Sequence, residues 1–254
     1  MKTALILTKS LAFLFLTIIF SGCTGNSEKI TLQLNYNVGD EQVIETKTQT
    51  SRGALMNIEN IIEIKFKLES IDDNGIYTFK SDVLKIQSET KMGDEIESYN
   101  SQKSESEMSE DEKSMHNEFK DILDSEFTIS INKNGEIVKD FEYLNGRPVE
   151  QPVDMSNIQL IFPNKELKVG DQWTNEKTNA LTSAVTKSNY TIKDITLDIV
   201  IIDVNSVITG PIGSNNLKGV YTLDKLTGKL LTGKLEMNLQ TGGKVTYTMT
   251  DKPS

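Results

Sequence analysis

The sequence predicts a mainly β protein of the α+β kind. The expected form is a curved antiparallel sheet, a half-barrel or two similar β halves, with one long amphipathic helix near 108–124. Three observations predict it. Apolar and polar residues alternate over most of the chain. A single segment carries both a helix cap and a helical apolar stripe. A short motif, Val38-Gly39-Asp40-Glu41-Gln42, returns 131 residues later as Val169-Gly170-Asp171-Gln172-Trp173.

The strands come first. Ile30, Leu32, Leu34 and Tyr36 alternate with Thr31, Gln33 and Asn35, the pattern of a half-buried strand, and Val38-Gly39-Asp40 ends it. Ile62, Ile64, Phe66 and Leu68 alternate with charged residues. Asp72-Asp73-Asn74-Gly75 then supplies a hairpin turn, because Asn and Gly accept positive φ. On the return strand Tyr77, Phe79 and Val83 share one parity, while Leu84 and Ile86 do not keep to it. A bulge near Val83 accounts for the change of face. Residues 91–106 read as a polar loop.

The helix is announced by Ser109-Glu110-Asp111-Glu112. The Ser109 hydroxyl can cap an early amide while Glu112 reaches back, and the acidic first turn suits the helix dipole. Met108, Met115, Phe119, Ile122 and Leu123 follow at helical spacing as one stripe. Phe127, Ile129 and Ile131 then form a strand that turns at Asn132-Lys133-Asn134-Gly135 into Ile137–Phe141.

Residues 142–168 hold Pro148, Pro152 and Pro163, as expected of a crossing segment. Beyond it the pattern is β again: Tyr190–Ile192, then Ile195, Leu197, Ile199 and Ile201, then Val220–Leu223. Leu235–Leu239 and Val245–Met249 also alternate, with turns at Thr227-Gly228 and Thr241-Gly242-Gly243. The hairpin around Asn134-Gly135 has a loose counterpart around Thr227-Gly228. The expected organisation is an N-terminal β half over 30–145 that includes the acidic helix, a crossing segment over 146–168 and a C-terminal half over 169–251. Together these halves make one compact domain.

Cys23 is the only cysteine. It follows Lys2, a mostly apolar segment from Leu5, and the small residues Ser21 and Gly22. The charge-free apolar run, Leu11–Phe20, broken only by Thr17, is about the size of a signal-peptide core and short of the ~20 residues of a membrane span. The pattern resembles the lipobox of bacterial lipoproteins, with Phe20 where an aliphatic residue is usual. That resemblance implies removal of residues 1–22, leaving 232 of the 254 residues, and acylation of Cys23. Residues 23–29 then form a tether, and two or three acyl chains anchor it stably.

The formal charge is −10, and becomes −12 once Lys2 and Lys9 are removed with the signal. Between Asp94 and Glu126 twelve acidic residues face only Lys103, Lys113 and Lys120, so this segment carries −9. An acidic body does not bind nucleic acid through its phosphates. It is also repelled by anionic headgroups, so the acyl chains must hold the membrane.

Motifs that carry chemistry are scarce. His116 is the lone histidine and reads as an exposed helix residue. There is no Gly-x-Ser-x-Gly elbow and no phosphate loop. Asp72-Asp73-Asn74-Gly75 lacks the later ligands of a calcium loop. The acidic run Glu105–Glu112 reads as a solvated face. No metal site, cofactor or catalytic residue is expected, and the protein is expected not to be an enzyme. Met115, Phe119, Ile122 and Leu123 are candidates to lid an apolar ligand. Trp173 is a candidate to stack on one, although a lone Trp after a turn more commonly anchors a strand.

The lipoprotein signal, the Leu-x-Leu segment before Val38-Gly39-Asp40, the Asn132–Glu136 turn and Phe162-Pro163…Val169-Gly170-Asp171-Gln172-Trp173 together resemble a family of uncharacterised lipoproteins of Gram-negative bacteria. More loosely, the hairpins and interposed helix resemble the half-barrel carriers of the LolA and LolB type, which implies a curved sheet around an apolar cavity. The leading expectation is a lipid-anchored protein of the bacterial envelope, at the outer membrane, that binds a lipid or other apolar ligand. The alternative is a protein-interaction module with a filled core and an exposed apolar patch.

Overall fold

The computed structural model describes residues 28–53, 55–144, 160–179, 182–211, 213–240 and 242–253. The signal segment and Cys23 lie outside the described residues, as do Pro148 and Pro152. The elements are β1 (Ile30–Thr31), β2 (Glu41–Arg52), β3 (Met56–Ile71), β4 (Tyr77–Met92), β5 (Glu95–Asn100), α1 (Glu110–Leu123), β6 (Glu126–Ile131), β7 (Ile137–Tyr143), β8 (Glu166–Leu167), β9 (Gln172–Thr178), β10 (Val185–Ile195), β11 (Ile199–Gly210), β12 (Gly213–Asp224), β13 (Leu230–Asn238) and β14 (Lys244–Lys252). The protein is mainly β, with one α-helix among the described residues.

One curved antiparallel sheet holds all but two of the strands. Its order is β7-β6-β4-β3-β2-β14-β13-β12-β11-β10-β9, with β5 added on β4, and it does not close into a barrel. The order consists of two meanders joined at β14–β2. β2, β3, β4, β6 and β7 run outward in chain order on one side. β9 to β14 run inward on the other.

Each meander starts from the same turn. In the first, Asp40 N donates to Asn37 O (2.9 Å), Asn37 N to Asp40 Oδ2 (3.1 Å), Gly39 N to Leu68 O (2.8 Å) and Leu68 N to Asp40 O (2.9 Å). In the second, Asp171 N donates to Lys168 O (3.0 Å), Lys168 N to Asp171 Oδ2 (3.0 Å), Gly170 N to Ile192 O (2.8 Å) and Ile192 N to Asp171 O (3.0 Å). The glycines have φ of 94° and 88°, which explains their place in both copies of the motif. Leu68 and Ile192, the strand residues that receive the turns, are both fully buried.

Residues directly opposite in antiparallel strands share a face. Ile202, Tyr221, Gly233, Met249, Thr46, Ile62 and Ile86 face one another in succession from β11 to β4. All are buried, so a single inner face runs across both meanders. The outer face of the first meander carries cross-strand ion pairs instead, including Lys47–Glu59 and Lys65–Glu41, and Lys252–Glu45 spans the seam between β14 and β2.

Two apolar clusters cover that inner face. One gathers Trp173, Tyr190, Ile202, Leu217 and Leu235 of the second meander with Leu32, Phe162 and Leu167 from the segments before each starting turn. The other gathers Ile62, Leu68, Phe79, Val83 and Phe127 of the first meander with Tyr99, Met108 and Ile122.

Three expectations need correcting. Within residues 30–36 only Ile30–Thr31 pairs as a strand, with β8. The amides of Leu34 and Asn35 bond instead to the turn carbonyls of Lys133 (2.7 Å) and Thr227 (2.9 Å). Alternation reported burial of alternate side chains there, without sheet membership. Residues 95–100 form β5 on β4 and bury Tyr99, where a polar loop was expected. Leu197 lies at the tip of the β10–β11 turn, so the alternation from Ile195 to Ile201 runs through a reversal of the chain. The bulge near Val83 is present: Glu63 faces Lys85 and Ile64 faces Val83, so Leu84 is the extra residue.

Candidate functional site

The inner face leaves a half-open cavity of about 220 Å³ where the two meanders meet. Its wall is built from matching parts of each. The β6–β7 hairpin contributes Ile131, Gly135 and Ile137, and the β12–β13 hairpin contributes Leu223, Gly228 and Leu230. Each hairpin glycine sits at positive φ and lies against one of the segments that precede the starting turns. A Cβ on Gly135 would stand 2.7 Å from Leu160 O, and one on Gly228 would stand 2.3 Å from Gln33 O. Only glycine lets the backbone approach this closely.

The rest of the wall includes Ile44, Phe66, Phe79 and Met249 from the sheet, with Leu34, Tyr36 and Phe162 from the segments before the starting turns. Tyr36, Phe66 and Phe79 meet edge to face, with Tyr36 and Phe79 centroids 5.1 Å apart. The polar atoms are few and engaged with one another. Tyr36 donates to Gln42 Oε1 (2.7 Å), and Gln42 Nε2 donates to Leu230 O (2.8 Å). Lys229 Nζ lies 4.5 Å from the Tyr36 ring centroid and 3.1 Å from Asp40 Oδ2. Burial, then the carboxylates of Asp251 and Asp40, push the Tyr36 hydroxyl far above its usual range. Burial likewise raises Tyr221, so both rings stay neutral. Such a wall can enclose hydrocarbon. It presents no nucleophile beside a base.

The residues singled out in the sequence lie elsewhere on the inner face. Met115, Phe119 and Leu123 pack against the first meander's cluster, and Ile122 belongs to it. Trp173 stacks on Tyr190 at 5.1 Å and 20°, and its Nε1 donates to Ile161 O (2.9 Å). None of these five lines the cavity. The Ser109–Glu112 capping box is formed as expected. His116 sits with Nδ1 3.0 Å from the Tyr99 hydroxyl, as part of the contact between α1 and β5. Asp72 Oδ1 accepts from the amides of Asn74 (2.9 Å) and Ile76 (2.8 Å), which makes a hairpin turn and holds the carboxyl below its usual range. No carboxylate or histidine cluster suited to a metal ion occurs among the described residues.

Partial signals for the cavity are legible in the sequence. Both hairpins were visible as a related pair, but their meeting across the sheet was not. The contacts join Leu34 to Lys133 and Asn35 to Thr227, and no local pattern reports pairings of that range.

Sheet and cavity define a class: a curved, unclosed antiparallel sheet with an apolar cavity on its inner face. Residues 153–246 match the model of a family of unknown function (DUF6263), a range that takes in β8 to β13. A search of the curated proteins finds no match.

Proposed function

We propose that this protein is a lipoprotein of the bacterial envelope, held at the outer membrane by acyl chains on Cys23, and that it binds an apolar ligand without catalysing a reaction. The cavity between the two meanders carries this reading. Apolar side chains dominate its wall, and the polar groups of Tyr36 and Gln42 satisfy each other. At about 220 Å³ it is smaller than the ~300–1,000 Å³ pockets of drug-sized ligands. The size suits one short acyl chain or a small ring compound better than a whole two-chain lipid. A filled core, as the interaction-module reading requires, would leave no such space.

Organic extraction of the body purified without acylation, as Cys23→Ser, tests the binding. Mass spectrometry is expected to find a stoichiometric apolar compound. Repeated extraction of nothing above background would overturn the reading. Palmitate labelling of the wild type against Cys23→Ser tests the anchor, and equal label on both would remove it.

A further inference from the structure

The alternation of strand direction places six turns at one end of the sheet. They are 38–40, 72–75, 132–135, 168–171, 196–198 and 225–228. Two of these turns are tied together, because Lys225 N donates to Asp198 O at 2.9 Å. The Lys225 ammonium reaches further, to the Thr196 carbonyl at 3.0 Å and to the carboxylate of Glu28. Glu28 is the first described residue. Cys23 stands five residues before it, a reach of at most about 18 Å. At the same place the turns carry Leu197 and Leu226, which are 85% and 81% exposed. They are the two most exposed large apolar side chains among the described residues.

The acidic insertion lies away from this end. It starts at the β4–β5 turn, at the opposite end of the sheet, and carries most of the net negative charge between Asp94 and Glu126. The cavity leans the other way, with Gly135 and Gly228 of two of the tether-end turns in its wall.

We propose that Leu197 and Leu226 insert into the bilayer that holds the Cys23 acyl chains, so that the cavity end of the sheet faces the membrane and the acidic insertion faces away. This rests on acylation of Cys23. Adjacent exposed leucines on hairpin tips, within tether reach of a lipid anchor, have the bilayer surface as their nearest apolar phase. Asp198, beside Leu197, and Asp72 and Asp73, on the β3–β4 turn further along the same end of the sheet, keep the contact shallow. The arrangement also fixes where the ligand comes from: the cavity exchanges apolar molecules with the leaflet beneath it.

Site-specific quenching tests this on the full acylated protein. Acylation blocks Cys23, so Leu197→Cys, Leu226→Cys and Leu55→Cys each offer one thiol for a fluorophore. Leu55 is also exposed, but sits at the far end of the sheet. The proteins are reconstituted in vesicles of phosphatidylethanolamine and phosphatidylglycerol with brominated acyl chains. Labels at 197 and 226 are expected to be quenched several-fold more than the label at 55. Equal quenching at all three sites, or none at 197 and 226, overturns the orientation. Crosslinking of 226 to 226 between copies without quenching also overturns it, in favour of self-association. If Cys23 is not acylated, the wild type will itself take the label and will not float with the vesicles. That result removes the anchor, and the orientation with it.

Discussion

The two meanders share a starting turn, a paired hairpin and one continuous inner face, yet they cover that face differently. The second connects β11 to β12 by a short turn, with Gly210 opposite Gly213. It fills its inner side with large residues of its own strands, Trp173, Tyr190 and Tyr221, and with Leu32, Phe162 and Leu167 from the segments before the starting turns. The first connects β4 to β6 through β5 and α1, and uses Tyr99, Met108 and Ile122 from that insertion as cover. One sheet therefore has two solutions to the same problem of apolar burial. The cavity lies where the two solutions meet, between the hairpins that the two meanders have in common, with Phe162 and Tyr221 of the self-filled side in its wall.

The comparison can be broken at several points, the largest effect first. Trp173→Ala removes the stack on Tyr190 and the bond to Ile161 from the self-filled side. A loss of about 3–5 kcal/mol is expected in denaturant unfolding followed by circular dichroism. A loss under about 1 kcal/mol would mean that the second meander does not depend on its own large residues.

The hairpin glycines test whether the two halves are equivalent. Gly135→Ala and Gly228→Ala each force a side chain into positive φ and against a backbone carbonyl. Each is expected to cost about 1–3 kcal/mol from strain alone, with similar losses for the two. A large loss in one with none in the other would show that the hairpins hold their crossing segments unequally.

Ser109→Ala touches only the inserted cover. The Ser109 hydroxyl accepts from Glu112 N (3.2 Å), and Glu112 in turn accepts from Ser109 N (3.0 Å). About 1 kcal/mol of helix stability is expected to be lost. Hydrogen exchange should quicken in α1 and β5 and stay unchanged in β10 to β12.

The smallest effect is electrostatic. Burial raises the Asp251 carboxyl above its usual range, with Gln42 and Lys229 only partly opposing the shift. The folded state therefore holds this proton more tightly than the unfolded state, and ionisation opposes folding. The penalty is absent in acid and grows as pH rises through the carboxylate range. Asp251→Asn is thus expected to raise the melting temperature slightly at neutral pH, with the gain vanishing below the ordinary carboxylate pKa. A gain that persisted in acid would contradict this cause.

Local physics was legible in the sequence where it acts within a few residues. The capping box at Ser109, the bulge beside Val83 and the turn at Asp72 each follow from a side chain's own backbone chemistry. Burial was legible too, but its cause was not. Leu32, Leu34 and Tyr36 alternate because their segment crosses the inside of the sheet, held by turns about a hundred or more residues away. The apolar stripe of α1 was clear, whereas the surface it covers depends on β5, which its polar residues hid. The cavity had no local signature, because its wall is assembled from both repeats and from the segments that lead into them.

The central claim is that an apolar ligand sits between the two hairpins and touches both halves. Binding of N-phenyl-1-naphthylamine to the non-acylated body tests it most directly. Ile137 and Leu230, each two residues after its hairpin glycine, line the cavity from the two sides. Ile137→Trp and Leu230→Trp should each weaken dye binding by about tenfold or more, while Val138→Trp, on an exposed neighbouring side chain, should leave it unchanged. Unchanged binding in either cavity variant would contradict a site shared by the two halves.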